Sequence, residues 1–433
     1  MDPAVAFDTE NTRAPTSRGP GRAAPRRLDE APSPAPTPLA VRPAPPHLRA
    51  ARLGVAAAFF SYGAAFASWI VRIPSVREAI GLSPAALGGA LFGASLGALV
   101  AMPVAGWLAG RVGSRPLIRV APLALGAALV LPALASSLLT LTLALVAMGL
   151  AGGTLNLAVN AQGAAVERAY GRPIFASFHG LYSLGGLAGA ALGGALIQWG
   201  VSTLVHLAAV GVGISALAWW ATRHTLSVTK PPAAAPTDAG SRPGLLALAP
   251  LGAIAFCVLV GEGAIADWSA VYLRDVVGAS PAAAAAGYAA FSIAMTGGRF
   301  VSDRIGAALG PRRLVYLGGL TSALGLGLAL VVPGFWTVIL GFAGVGAGSS
   351  VVFPIALRAA SGDGGPGSEA AIAAVSTAGF LGFLVGPPLI GLTASYVSLR
   401  GALVWVVLAS AVVAVLSAAV QRRPGARAAG VGP

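Results

Sequence analysis

Apolar runs of about 20 residues, the length a helix needs to cross a hydrocarbon core, recur along this chain. They fall near 53–72, 85–108, 117–136, 138–165, 174–198 and 201–221. After a polar interruption they resume near 245–273, 280–302, 313–332, 335–357, 370–396 and 401–420. The period-2 alternation of an outer-membrane barrel is missing from these runs. The pattern predicts an all-α integral membrane protein with twelve transmembrane helices in two six-helix halves. Its parts are a Pro/Arg-rich tail over 1–50, an N-terminal half over 51–221, a linker over 222–244, a C-terminal half over 245–421 and a tail over 422–433.

The basic residues orient the helices. If the N-terminus is cytoplasmic, the loops on that side hold Arg111, Arg115 and Arg119; Arg168 and Arg172; Arg223, Lys230 and Arg242; Arg304, Arg312 and Arg313; Arg358; and Arg422, Arg423 and Arg427. The other side holds only Arg72, Arg77, Arg274 and Arg400. Lys and Arg accumulate on the cytoplasmic side of membrane proteins, so both termini are expected inside and the protein in the cytoplasmic membrane of a bacterium, as a multi-pass chain.

Composition agrees. Of 433 residues 56% are hydrophobic and 10% charged, with a mean hydropathy of +0.80, against roughly a quarter charged in soluble domains. The net charge of +14 lies in the tails and alternate loops and marks orientation rather than a nucleic-acid surface. The first fifty residues have no periodic apolar face and are expected to be disordered; they lack the apolar stretch and cleavage site of a signal peptide. A single cysteine, Cys257, allows no intrachain disulfide. Four His without paired Cys make no structural metal site, and no cofactor is expected. The chain has no phosphate loop ending in Gly-Lys and no His-Glu-x-x-His, which argues against an enzyme and an ATP-driven pump.

The halves repeat one another. Ala67-Ser68-Trp69 precedes Ser83-Pro84 in the first, as Ala266-Asp267-Trp268 precedes Ser280-Pro281 in the second. Gly149-Leu150-Ala151-Gly152 matches Gly341-Phe342-Ala343-Gly344, and Gly185, Gly189 and Gly193 match Gly382, Gly386 and Gly391. Two such halves enclose a cavity near the midplane, which rocking exposes to each side in turn.

Over about residues 51–421 this organisation resembles the major facilitator superfamily. That family carries Gly-x-x-x-Asp-Arg-x-Gly-Arg-Arg in the loop after its second span; here the loop reads Gly106-Trp107-Leu108-Ala109-Gly110-Arg111-Val112-Gly113-Ser114-Arg115. The Asp is replaced by Gly110, while the second half keeps Asp303-Arg304-Ile305-Gly306. The resemblance implies a cytoplasmic gate from Arg111, Gly113, Arg115, Asp303 and Arg304. The stretches Trp69–Pro84, Arg172–Gly186 and Glu262–Leu273 look like a bacterial branch near the fucose permease-type porters, which suggests sugars or other small polar metabolites. Those porters carry acids in spans one and four, where this chain has none in the first and Asn156 and Asn160 in the fourth. The span-four Arg of drug–proton antiporters is absent too.

Ionisable groups within a span are functional candidates by default. Glu262 lies deep in span seven and is the first candidate for a substrate-binding or proton-accepting carboxylate. Asp267, five residues on, points about 140° away, so the two form no dyad unless Gly261 or Gly263 breaks the helix; Asp267 is expected to pair with Arg72 or Arg77, closing an outer gate, with substrate contact as the alternative. In span four, Gly149, Gly153, Asn156, Asn160 and Gly163 share a face; the amides either bond a neighbouring helix or line the cavity. Gln162 points elsewhere. His179, with Phe178 and Tyr182 beside it, is a packing residue or a gate at the inner mouth. Trp69 and Trp268 are interfacial anchors or paired cavity walls.

The expected function is secondary active transport of a small solute by a monomer in a lipid bilayer, with protons as a candidate coupling partner and no nucleic acid. The alternatives are a proton-coupled exporter of drugs or hydrophobic metabolites, and a membrane sensor or scaffold that transports nothing.

Overall fold

The computed structural model describes residues 45–171, 174–227, 245–361 and 368–420, apart from a few side chains within those helices, among them 302–304 and 307. The expected N-terminal tail up to residue 44, the C-terminal tail, most of the linker and Arg172 lie outside the described residues, whereas Pro46–Ala50, expected to be disordered in that tail, form the start of α1. Every regular element described is helical, as backbone in hydrocarbon must be when each N–H and C=O has to be bonded internally.

The first half of the chain forms α1 (Pro46–Ile70), α2 (Ile73–Ile80), α3 (Pro84–Val112), α4 (Ser114–Ala128), α5 (Leu131–Leu134), α6 (Leu138–Tyr170), α7 (Phe175–Gln198) and α8 (Thr203–Ala221). The second forms α9 (Leu245–Asp275), α10 (Pro281–Val331), α11 (Phe335–Ser349), α12 (Val352–Ser361), α13 (Ser368–Tyr396), α14 (Leu399–Ala402) and α15 (Val404–Leu416). Among the described residues, eleven helical segments are long and apolar enough to cross a membrane. The span expected near 280–302 is helical, as the start of α10, but is not one of the eleven. Its Ala/Gly-rich stretch carries Ser292, Thr296 and Arg299, which lower its apolarity.

Two glycines fold α3/α4 and α10 back on themselves. Gly113 has φ 81° and ψ 167°, and Gly310 has φ 75° and ψ 162°. That conformation is closed to residues with a Cβ, so α10 is two helices meeting at Gly310. The residue shift that carries Gly113 onto Gly310 also carries Gly81 onto Gly278, both left-handed, with φ 75° and 72°. It carries Ser83 onto Ser280 as well: each caps its helix by accepting a bond, from Ala86 N and Ala283 N, at 3.2 Å. Asp303 and Arg304 therefore lie on the helix, nearly two turns before the bend, and not in the loop the motif comparison assigned them to.

Small residues set the helix pairing, as they do in membranes where close backbone approach replaces a hydrophobic driving force. Gly185 and Gly189 of α7 lie on the backbone of Phe60 and Ala64 of α1, and Gly382 and Gly386 of α13 on that of Phe256 and Val260 of α9. Gly149 and Gly153 lie likewise on Ala94 and Ala98 of α3. The third members of the glycine series diverge: Gly193 meets the side chains of Val71 and His206, and Gly391 meets Gly88 in the other half of the chain.

The segment from Trp69 to Gly81 is two residues longer than that from Trp268 to Gly278. The surplus breaks the helix at Val71-Arg72 and turns Arg72 inward, while α9 runs on unbroken to Asp275. Trp69 and Trp268, 2% and 0% exposed, sit in the core. This corrects the interfacial-anchor reading, because an anchor must face headgroups and these rings face other helices.

Candidate functional site

Helix α9 has no break at Gly261 or Gly263, so Glu262 and Asp267 leave it in different directions and form no dyad. Glu262 is half-buried and Asp267 is buried. Facing them on α10 are Tyr288 and Arg299: Arg299 lies within electrostatic reach of Glu262, and Tyr288 within reach of both acids. From the first half of the chain come Tyr62 of α1 and Tyr182 of α7, whose rings are 5.1 Å apart. Tyr182 is within reach of Glu262, Tyr288 and Arg299. Helices from both halves thus converge on one cluster of three phenols, a carboxylate and a guanidinium.

Arg299 also acts on His179. That imidazole is held between Phe59 and Phe175, with ring centroids 5.1 and 5.2 Å away. Tyr62 also packs against the face of Gly152, one helical turn from Asn156. Asn160 Nδ2 donates to Asn156 Oδ1 at 2.9 Å and to Asn156 O at 2.8 Å. The two amides therefore bond each other rather than a neighbouring helix, leaving Asn156 Nδ2 and Asn160 Oδ1 for a further partner. Gln162 is fully buried and donates to Ser114 Oγ and Leu226 O at 3.0 and 2.9 Å, which ties α6 to the α3–α4 turn.

Of the gate candidates, Arg111 and Arg115 bind within the first half and the linker. Arg111 stacks over the Trp107 ring at 4.0 Å. Arg115 bonds Ser227 Oγ at 2.9 Å and Arg223 O at 3.2 Å, and Gly113 supplies the bend between them. The side chains of Asp303 and Arg304 lie outside the described ones. The expected bridge from Asp267 to Arg72 or Arg77 does not form, since both arginines are engaged elsewhere: Arg72 with His206 Nδ1 at 2.9 Å and Val201 O at 2.7 Å, Arg77 with Asp275. Among the described residues Asp267 has no ion pair and Trp268 Nε1 no hydrogen-bond partner.

Sequence reasoning missed Tyr62, Tyr288 and Arg299. Arg299 carried the signal, a charge inside an expected span. The tyrosines carried none, being ordinary in membrane helices. The string Gly93-Ala94-Ser95-Leu96-Gly97 has the spacing of a hydrolase nucleophile elbow, yet it lies within α3 with no strand-to-helix turn. Among the described residues no group of three or more His, Cys, Asp or Glu could hold a metal ion. An Ala-lined groove of about 500 Å³ opens between α7 and α10, lined by Gly194, Gln198, Ala282 and Ala286 among others. It contains no ionisable side chain, so the charged cluster is the better candidate site.

Comparison with known proteins bears on what such a cluster does. A family model described as Major Facilitator Superfamily matches residues 53–307 and 251–432. An uncharacterized MFS-type transporter of Yersinia pestis is 36% identical over 365 residues, covering 84% of this chain and 94% of the relative. A bacterial homolog of the human lysosomal transporter Spinster, in an inward-facing and unoccupied conformation, superposes with a TM-score of 0.67 at 16% identity, over 87% of this chain and 98% of that one. A D-xylose-proton symporter superposes with a TM-score of 0.69 at 14% identity, over 87% and 98%.

Proposed function

The chain belongs to the major facilitator superfamily, and from that premise we propose that it carries a small polar solute, bound between two six-helix halves, by alternating access. It is a multi-pass membrane protein and a secondary transporter, and its relatives and fold are those of transporters rather than enzymes. In this reading the protein works as a monomer in the cytoplasmic membrane. The Gly113/Gly310 end faces the cytoplasm and the α2 end faces outward, as the Arg distribution suggests.

One observation supports the site above all: Tyr182 of the first half and Glu262 and Tyr288 of the second share one electrostatic cluster. A solute bound there touches both halves, so their relative rotation changes its surroundings, as alternating access requires. The tyrosine rings offer flat apolar faces and the hydroxyls offer hydrogen bonds. Asn156 and Asn160 add a donor and an acceptor, Glu262 an acceptor or a proton carrier, and Arg299 a fixed positive charge. This mixture suits a molecule rich in hydroxyl or other hydrogen-bonding groups better than a plain hydrocarbon, whose burial would strand those polar atoms. Proton coupling through Glu262 is part of the proposal, as is closure of the cytoplasmic side by Arg111, Arg115, Asp303 and Arg304.

A ligand that binds only the folded protein raises its stability, so a thermal-shift screen of sugars, polyols and small metabolites on the purified protein at two pH values tests the reading. The expected result is a hit weakened by Glu262→Gln. A hit unaffected by that change removes Glu262 from the site, and hits confined to apolar drugs overturn the polar-solute reading.

A further inference from the structure

We propose that Arg77, Glu78, Arg274 and Asp275 form a reciprocal latch that holds the α2 end of the bundle shut, the outer face under the transport reading on which this inference rests. Arg77 of α2 pairs with Asp275 at the end of α9, and Arg274 Nη2 donates to Glu78 Oε1 at 2.8 Å. Each bridge joins the first half of the chain to the second. The residue shift that relates Gly81 to Gly278 also relates Arg77 to Arg274 and Glu78 to Asp275. One Arg-acid dipeptide in each half therefore pairs with its own counterpart, and four residues give two bridges.

The guanidinium positions repeat as well. Arg77 Nε donates to Leu82 O at 3.1 Å, and Arg274 Nη1 donates to Ala279 O at 3.3 Å. Both carbonyls lie between the left-handed glycine and the capping serine of their turn. Each arginine is thus anchored within its own half and presents a second nitrogen across the seam. An unanchored Arg would lose more side-chain entropy on pairing.

Partial exposure suits a contact that must open. The side chains are 18% and 36% exposed in the first pair, and 25% and 54% in the second. Water can solvate the separated groups, whereas fully buried partners would be left as stranded charges and the end would be locked. Behind the latch, α3 meets α13 with glycine on both sides: a Cβ on Gly88 would stand 2.7 Å from Pro387 O, and one on Gly391 2.6 Å from Pro84 O. At the opposite end, Arg111 and Arg115 bind within the first half and the linker.

The test is the distance between spin labels on full-length protein with Cys257→Ser, placed by Ser136→Cys and Val332→Cys on exposed turns of the two halves at the α2 end. Measured by double electron–electron resonance in lipid nanodiscs, the unaltered latch is expected to give one dominant short distance. Glu78→Gln with Asp275→Asn removes both acceptors at nearly constant size, and is expected to raise the ratio of long to short distances roughly fivefold, from two part-exposed pairs. The reversal Arg77→Asp is expected to act likewise, and adding Asp275→Arg to restore the short distance. An unchanged distribution in the neutral double variant, in protein that unfolds at the usual temperature, overturns the latch; so does failure of the exchanged pair to restore it. Because the readout needs no solute, a failed latch with intact solute binding is distinguishable from failure of the transport reading.

Discussion

Arg72 Nε donates to His206 Nδ1 at 2.9 Å, and the two side chains are 4% and 0% exposed. The guanidinium lies among α1, α7 and α8 with a neutral imidazole and the Val201 carbonyl as its acceptors. Removing one partner of a buried charge leaves that charge uncompensated, whereas removing both polar groups is often tolerated. We predict that His206→Leu lowers stability by about 3 kcal/mol, and that Arg72→Met added to it recovers most of the loss. Thermal unfolding of the three proteins in one detergent checks the order.

The close approach of Gly88 to Gly391 leads to a second prediction. Gly88→Val puts a branched side chain where a single Cβ already meets the Pro387 carbonyl at 2.7 Å. Backbone atoms cannot swing aside as side chains do, so α3 and α13 must separate, at a cost of about 1–3 kcal/mol. The mutant is expected to unfold earlier than wild type, while Gly89→Val, one residue along with nothing within 4 Å, leaves the unfolding temperature close to wild type.

Glu167 accepts from Ile174 N at 2.7 Å and Phe175 N at 2.6 Å, so a carboxylate at the end of α6 caps the start of α7. It binds two backbone donors that the helix itself cannot satisfy and lies at the positive end of the helix dipole. Glu167→Ala is expected to cost about 1–2 kcal/mol and Glu167→Gln less, since the amide oxygen still accepts. Amide exchange at Ile174 and Phe175 provides the local readout and is expected to speed up in both variants.

How much of this was legible beforehand depends on how far each feature depends on neighbours distant in sequence. The helices were readable because hydrophobic length is a property of a local run, and the run over 280–302 is the weak one because Ala, Ser, Thr and Arg299 dilute it. The repeat was readable through Ser83-Pro84 and Ser280-Pro281, whose capping role is local. The second bend was not: Asp303-Arg304-Ile305-Gly306 matched the family motif, but the strained backbone belongs to Gly310, one turn later. Arg72, His206 and the Arg77–Asp275 pair depend on which helices touch, and a lone His in an apolar run gives no hint of a buried arginine beside it. For Trp69 and Trp268 both anchor and cavity wall stayed open, because their burial depends on the same tertiary contacts.

The central claim is that solute crosses through the cluster around Glu262, and counterflow in proteoliposomes tests it most directly. Vesicles holding the protein are loaded with an unlabelled hit from the stability screen and placed in a trace of the labelled compound. The account predicts transient accumulation of label above its outside level, at least about tenfold slower with Glu262→Gln, the loss of one charge-assisted contact being worth some 1.5–3 kcal/mol. Accumulation no greater than in protein-free vesicles, or equal rates for wild type and Glu262→Gln, would contradict it.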